Sequence, residues 1–295
     1  MGICPPDVSK IMPLIEMARR EDLGTGDITT EAMIDESQQG VGRLVAREPG
    51  TICGMILIEP ISRVYHADLS AENLVPDGAA VREGDVLGLL RGPLRTLLTL
   101  ERVLLNFLQR LSGIATQTRR FSDAVAGTNC RILDTRKTTP GWRELEKYAV
   151  RAGGGFNHRM GLYDAVLIKD NHLAAARGEP LGQKIAQMRE SLPVGTTIEL
   201  EVDTFEQYES ALNMGVDIIL LDNMDVPTLL RAAALRNRCR PDGRPLLEAS
   251  GSVKLSTVRQ LADTGVDRIS IGALTHSAIA LDLSLDMEEQ KNSNS

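Results

Sequence analysis

At 295 residues, with 42% hydrophobic and 25% charged side chains, the chain has the make-up of a soluble globular protein, long enough for one large domain or two modest ones. A net charge of −7 speaks against a nucleic-acid partner, and no apolar run approaches the roughly 20 residues of a membrane span. Four scattered cysteines (Cys4, Cys53, Cys130, Cys239) form no C-x-x-C pair, and the N-terminus lacks a secretory design, so the expectation is a cytoplasmic protein with reduced thiols and no membrane partner.

Residues 11–20 space their apolar side chains helically and run into a polar, glycine-rich break, Glu21-Asp22-Leu23-Gly24-Thr25-Gly26-Asp27. From about 41 to 90, turn chemistry at Glu48-Pro49-Gly50, Pro76-Asp77-Gly78 and Glu83-Gly84-Asp85 separates short strands and predicts a small α+β or sandwich-like region. Residues 95–126 read as a long helix with an apolar stripe of Leu97, Leu100, Leu104, Phe107, Leu108 and Leu111, a break at Gly113, and a role in linking two domains. Beyond it the texture changes. Short runs of branched apolar residues, at 131–133, 165–168, 198–202, 217–221, 246–247 and 268–271, each lead to a charged, hydroxyl or glycine residue. Such runs, separated by helical segments, predict buried parallel strands of βα units. With aromatic residues at only 3%, the core must be aliphatic, as suits barrel strands. After Thr275 the spacing turns helical again, and 288–295 reads as a disordered polar tail.

In an α/β barrel the reactive groups stand at the carboxyl ends of the strands, and the chemistry-bearing residues of this chain collect there. Asp134-Thr135-Arg136-Lys137-Thr138-Thr139 sets two adjacent cations among hydroxyls, a pattern suited to a carboxylate or phosphate. Gly153-Gly154-Gly155-Phe156-Asn157-His158-Arg159 offers free backbone N–H groups followed by two side-chain donors. Lys169 shares a strand face with Ala165 and Leu167 and must be paired or functional, with Asp170 the adjacent candidate partner. Glu199, Glu201 and Asp203 share a face of the next strand, and Asp222 ends the one after it, a set able to hold Mg²⁺ or to stabilise developing positive charge. Ser250-Gly251 and Ser270-Ile271-Gly272 close the last two strands with small residues that let backbone N–H groups approach a phosphate, and His276 follows within reach. Cations, carboxylates and one phosphate cradle together imply a phosphorylated sugar and a carboxylate-bearing acceptor.

At these residues the chain resembles the quinolinate phosphoribosyltransferase family. The resemblance runs from Glu21 to about Leu283. It is carried by Glu101-Arg102-Val103-Leu104-Leu105-Asn106, Asp134-Thr135-Arg136-Lys137-Thr138, Asn157-His158-Arg159, Ile168-Lys169-Asp170-Asn171-His172, Leu221-Asp222-Asn223 and Glu248-Ala249-Ser250-Gly251. It implies an incomplete α/β barrel of six or seven parallel strands with an N-terminal α+β sandwich domain, here 1–115 joined by 276–295, and the barrel at 116–275. It also implies a homodimer with shared active sites, Mg²⁺ as cofactor, and transfer of phosphoribosyl from 5-phosphoribosyl-1-pyrophosphate to quinolinate with loss of CO₂. By that resemblance Arg136, His158 and Arg159, with Arg102 from the neighbouring subunit, hold the quinolinate carboxylates. Lys137 and Lys169 meet the pyrophosphate and substrate edge, Glu201 and Asp222 the ribose and Mg²⁺, and Ser250, Gly251, Gly272 and His276 the 5-phosphate. One departure is Ser252, where the family commonly has glycine; it matters only if that position needs positive φ. Three other readings remain open on the residues alone: a Schiff-base barrel using Lys169, a non-catalytic anion-binding protein, and a related transferase with another acceptor.

Overall fold

The computed structural model describes residues 3–175, 180–240 and 242–288. The chain divides into two compact units: Met1–Arg119 with Thr138–Gly154 and Leu274–Ser295, and Arg120–Lys137 with Gly155–Ala273.

In the first unit, helix Val8–Leu23 is capped by Asp7, whose carboxylate accepts the Ser9 N–H, and Asp27 caps Ile28–Met33 in the same way. Five strands follow: β1 (Gln39–Ala46), β2 (Gly50–Thr51), β3 (Ser70–Glu72), β4 (Ala80–Val81) and β5 (Val86–Pro93). β1, β5 and β3 pair antiparallel, and β2 and β4 form a separate ribbon. Helix Leu94–Ala124 buries the predicted stripe from Leu97 to Leu111 in full. The expected break at Gly113 does not occur. Glycine is there because a Cβ would lie 2.0 Å from the Ile279 carbonyl oxygen, so the residue serves close packing rather than a hinge.

Segment 138–154, which the sequence reading places with the barrel, clusters with this first unit. Three contacts explain it: Trp142 stacks on Phe107 at 4.7 Å, Arg110 pairs with buried Glu146 at 2.8 Å, and the Tyr148 hydroxyl donates to Asp77 at 2.7 Å. The first glycine of the triple changes role accordingly. A Cβ on Gly153 would meet the Ala115 carbonyl oxygen at 2.4 Å and the Thr118 side chain at 2.6 Å, so this glycine lets the loop close onto the helix rather than cradle an anion.

The second unit is a parallel sheet of six strands: β6 (Arg131–Leu133), β7 (Val166–Ile168), β8 (Ile198–Val202), β9 (Ile218–Asp222), β10 (Leu246–Ser250) and β11 (Arg268–Ser270). Their order is β6-β11-β10-β9-β8-β7, with helices between successive strands, which makes an incomplete α/β barrel. β6 and β7 do not pair. Beyond β6 the sheet ends in a single parallel bridge from Leu133 to Phe156.

The chain then returns to the first unit. Among the described residues only Ala273–His276 is helical after β11, and Leu283–Met287 forms β12, antiparallel to β1. The helical reading past Thr275 is therefore corrected. Leu281, Leu283 and Leu285 are buried and alternate with polar residues, a period of two that marks a strand. Most of the expected polar tail, 289–295, lies outside the described residues.

Candidate active site

Every barrel-borne candidate except Glu199 lies at or just past a strand end of the second unit: Arg136 and Lys137 after β6, His158 and Arg159 after the Phe156 bridge, Lys169 after β7, Glu201 near the end of β8, Asp222 on β9, Ser250 and Gly251 on β10, and Gly272 after β11. Parallel register keeps the ends level, with Ser250 opposite Asp222 and Glu201 opposite Leu220.

Arg136 and Arg159 both stand at this rim, near enough for the charge of one to act on the other. Burial and the neighbouring Arg136 charge both press Arg159 below the usual arginine value. Like charges held this close are unfavourable unless an anion comes between them, so the pair suits a carboxylate. Arg159 also donates from Nη1 to the Ala165 carbonyl at 3.1 Å, which fixes the direction of its fork.

Lys169 pairs with Glu201 and not with Asp170. Its backbone N–H donates to His172 Nδ1 at 2.9 Å, which anchors the turn into helix Asp170–Ala175. A lysine ion-paired with a carboxylate is not the desolvated amine that a Schiff-base mechanism requires, which removes the support for the aldolase-type reading. Asp222, half-buried, accepts from Asn223 Nδ2 at 2.7 Å. Glu201 and Asp222, on adjacent strands and not fully enclosed, form the kind of oxygen donor set that Mg²⁺ uses when substrate oxygens and water complete its shell.

Gly251 has φ +124, and a Cβ there would lie 2.4 Å from Asn223 Oδ1, so only glycine lets the two loops close together. Ser252 is not among the residues of positive φ, so serine in place of the family glycine carries no backbone strain. Arg102 and His276 belong to the first unit. Arg102 is exposed on helix Leu94–Ala124, and exposed His276 lies 2.7 Å from the Ser277 hydroxyl.

The structure changes the role of His158. Its ring is nearly buried, with Nε2 3.0 Å from Glu199 and 3.5 Å from Glu248, and Nδ1 accepts the Arg159 N–H at 2.8 Å. Both nitrogens face protein groups, so the ring anchors the loop instead of offering a donor to a substrate carboxylate. Buried Asp134 holds the same loop from the other side, accepting the His158 N–H at 2.9 Å and Asn157 Nδ2 at 2.5 Å. Arg268 Nε sits 2.7 Å from Glu248 and completes a quartet inside the barrel. Sequence reasoning gave Glu248 and Arg268 no role, although a charge within the apolar run Leu246-Leu247-Glu248-Ala249 was a visible signal. Among the described residues His158, Glu199 and Glu248 also form the one cluster able to offer three metal ligands, but Arg268 already supplies its cation and both carboxylates are buried. Mg²⁺, which keeps several waters, suits Glu201 and Asp222 instead.

Burial opposes a charge on His158, but the carboxylates of Glu199 and Glu248 outweigh it, so the group around the ring holds its proton up to about 9. Burial and the nearby Glu248 raise Glu199. Burial would raise Glu248 too, but His158 and Arg268 hold it low. The group titrates as a unit. Because the Arg159 N–H occupies Nδ1, the ring keeps one proton, on Nε2 facing Glu199, and the extra proton of the group rests on the Glu199 carboxyl, which burial and Glu248 raise. The folded value lies above the 6.5 of an unperturbed histidine, so the stabilisation is full below 6.5 and is lost as pH rises through about 9. Melting temperature is expected to fall across that window, and to fall less in His158→Asn. A wild-type melting temperature that stays level to about pH 9.5 would refute the shared proton.

An open parallel barrel with paired guanidinium groups, a Lys–Glu pair and carboxylates along one rim defines an enzyme class that handles small polyanions at its strand ends. The comparisons make this specific. Residues 27–112 match the family model for the quinolinate phosphoribosyl transferase N-terminal domain, and residues 114–286 the model for its C-terminal domain. The chain belongs to the quinolinate phosphoribosyltransferase family. It is 42% identical over 278 residues to the nicotinate-nucleotide pyrophosphorylase [carboxylating] of Mycobacterium leprae, covering 92% of this chain and 95% of that protein. It is 41% identical over 267 residues to the probable enzyme of that name from Bacillus subtilis, covering 90% of each. The crystal structure of NadC from Streptococcus pyogenes superposes with a TM-score of 0.89 at 38% identity, covering 97% of this chain and 99% of that one.

Proposed function

We infer that the protein transfers phosphoribosyl from 5-phosphoribosyl-1-pyrophosphate to quinolinate, giving nicotinate mononucleotide, pyrophosphate and CO₂. The observation that carries this reading is the Arg136–Arg159 guanidinium pair on the same barrel rim as the Lys169–Glu201 pair and Asp222. Quinolinate is a dianion and the donor a polyanion, so a rim without gathered cations would repel both.

Arg136 and Arg159 hold the quinolinate carboxylates, joined by Arg102 of a second subunit in a homodimer. With the carboxylate beside the ring nitrogen neutralised, that nitrogen keeps its lone pair free to attack the anomeric carbon as the bond to pyrophosphate breaks. Lys137 and Lys169 meet the departing pyrophosphate, and Glu201 and Asp222 face the positive charge that develops on the ribose. Ser250, Gly251 and Gly272 bind the 5-phosphate through backbone N–H groups. Glu201 and Asp222 would also hold Mg²⁺, which would supply neutralisation of charge on the leaving group. Once the glycosidic bond exists, the cationic ring accepts the electrons of the breaking C–C bond, CO₂ leaves, and a proton takes its place on the ring. Orientation and preorganised charge are the protein's contribution. Among the described residues no helix is long and apolar enough to cross a membrane, and a cytoplasmic location accords with the reading.

The test supplies purified protein with quinolinate, the sugar donor and Mg²⁺, and follows CO₂ and pyrophosphate together. One of each per turnover is the expected result. Pyrophosphate without CO₂ would point to a different acceptor chemistry, and release of neither overturns the reading.

A further inference from the structure

The barrel interior contains four ionisable groups where aliphatic side chains would pack. Glu199 comes from β8, Glu248 from β10, Arg268 from β11, and His158 reaches in from the loop after Phe156. Their strand neighbours Ile198, Leu200, Leu247 and Ile269 are all buried apolar residues. A buried ion quartet is a poor source of stability, since apolar residues of similar volume serve as well or better. Its geometry suggests another use. Arg268 Nε lies 2.7 Å from Glu248, Glu248 and Glu199 lie 3.5 Å and 3.0 Å from His158 Nε2, and His158 Nδ1 accepts the Arg159 N–H at 2.8 Å. The chain of contacts begins inside the barrel and ends on the backbone of a guanidinium that faces the substrate.

We propose that Glu248 and Arg268 are positioning residues for the dicarboxylate substrate: through His158 they fix the backbone of Arg159, and with it the spacing of the Arg136–Arg159 pair. The proposal rests on the quinolinate reading of that pair. Asp134 steadies Asn157 and the His158 backbone, but the only hydrogen bond to the Arg159 backbone N–H among the described residues is the one to the imidazole. Without a fixed ring, Arg159 keeps its charge and loses its aim. Misplacement of a binding group by about 1 Å costs on the order of 100-fold, so the loss falls on quinolinate and not on the sugar donor.

The decisive variant replaces the ion pair as a unit, Glu248→Met with Arg268→Met, which removes opposite charges together. A residue pair of purely structural value would lower the melting temperature and leave both KM values alone. The expected result is the reverse: KM for quinolinate rises at least about tenfold, KM for 5-phosphoribosyl-1-pyrophosphate stays within about twofold, and the melting temperature does not fall. A quinolinate KM within about twofold of wild type in the folded double variant overturns the proposal. A second measurement uses the wild-type protein and needs no variant to fold. Nitrogen-15 spectra of labelled histidine at neutral pH should show His158 Nδ1 unprotonated, and a proton on Nδ1 breaks the link to Arg159 and overturns the proposal as well. Calorimetry with benzene-1,2-dicarboxylate reads the guanidinium pair without turnover. Wild-type protein that binds this compound but turns over no quinolinate would count against the proposed activity; weaker binding to the double variant would still support the positioning role.

Discussion

Arg136→Ala is expected to lower kcat/KM for quinolinate by about 10²–10³ while leaving the fold intact, because removing one partner of a desolvated charge-assisted pair costs about 3–4 kcal/mol. The side chain is exposed at the rim, so its loss opens no cavity. Its charge also bears on Arg159, and removing one of two neighbouring cations relieves repulsion in the free protein. The melting temperature should therefore hold or rise slightly, opposite in sign to the loss of activity. Arg136→Lys separates charge from shape: it keeps the cation, loses the planar fork, and should fall between wild type and alanine. Steady-state kinetics with each substrate varied in turn, beside a thermal melt, provide the check. An alanine variant within about fivefold of wild type for quinolinate would remove Arg136 from the binding pair.

Much of the second unit was legible in the chain because its signals are local. Each barrel strand is a short run of branched apolar residues that stops at a functional side chain; five of the six appear within a residue of the expected limits, and β10 runs three residues past 246–247, through Glu248 to Ser250. What escaped was set by contacts distant in sequence. Gly113 read as a helix breaker because glycine lacks a side chain, and it stands in an unbroken helix for the same reason, to admit the backbone at Ile279. Leu281, Leu283 and Leu285 alternate as a strand should, but β12 has its partner β1 more than two hundred residues earlier, and no local signal names that partner. His158 was read as a substrate ligand from its place between Asn157 and Arg159, whereas the structure turns its ring inward to carboxylates on two strands. Glu248 stands in the motif Glu248-Ala249-Ser250-Gly251, but its setting depends on Arg268 beside it in the register and His158 across the interior. Sequence shows which residues reach the rim, and only the packed barrel shows what stands behind them.

Mixing two inactive variants is expected to restore activity. The shared-site reading places Arg102 in the neighbouring subunit's active site and Lys169 in its own, so a subunit carrying Arg102→Ala retains a complete barrel and one carrying Lys169→Ala retains a complete arginine. Each homodimer is inactive at both sites. After subunit exchange at equal amounts, about half the dimers pair one variant with the other. In each such dimer one site combines the intact barrel with the intact Arg102, and the opposite site lacks both. Recovery should therefore approach about one quarter of wild-type activity, a value fixed by two-fold symmetry rather than by the strength of any contact. Arg102 is exposed on its helix, 3.9 Å from Glu101, and the Lys169 head pairs with Glu201, so both substitutions leave the buried core untouched. If Arg102 served its own subunit, each variant subunit would carry one defect in its only site and mixing would restore nothing. Subunit exchange verified by mass spectrometry, with activity still at the homodimer level, would place Arg102 outside a shared site.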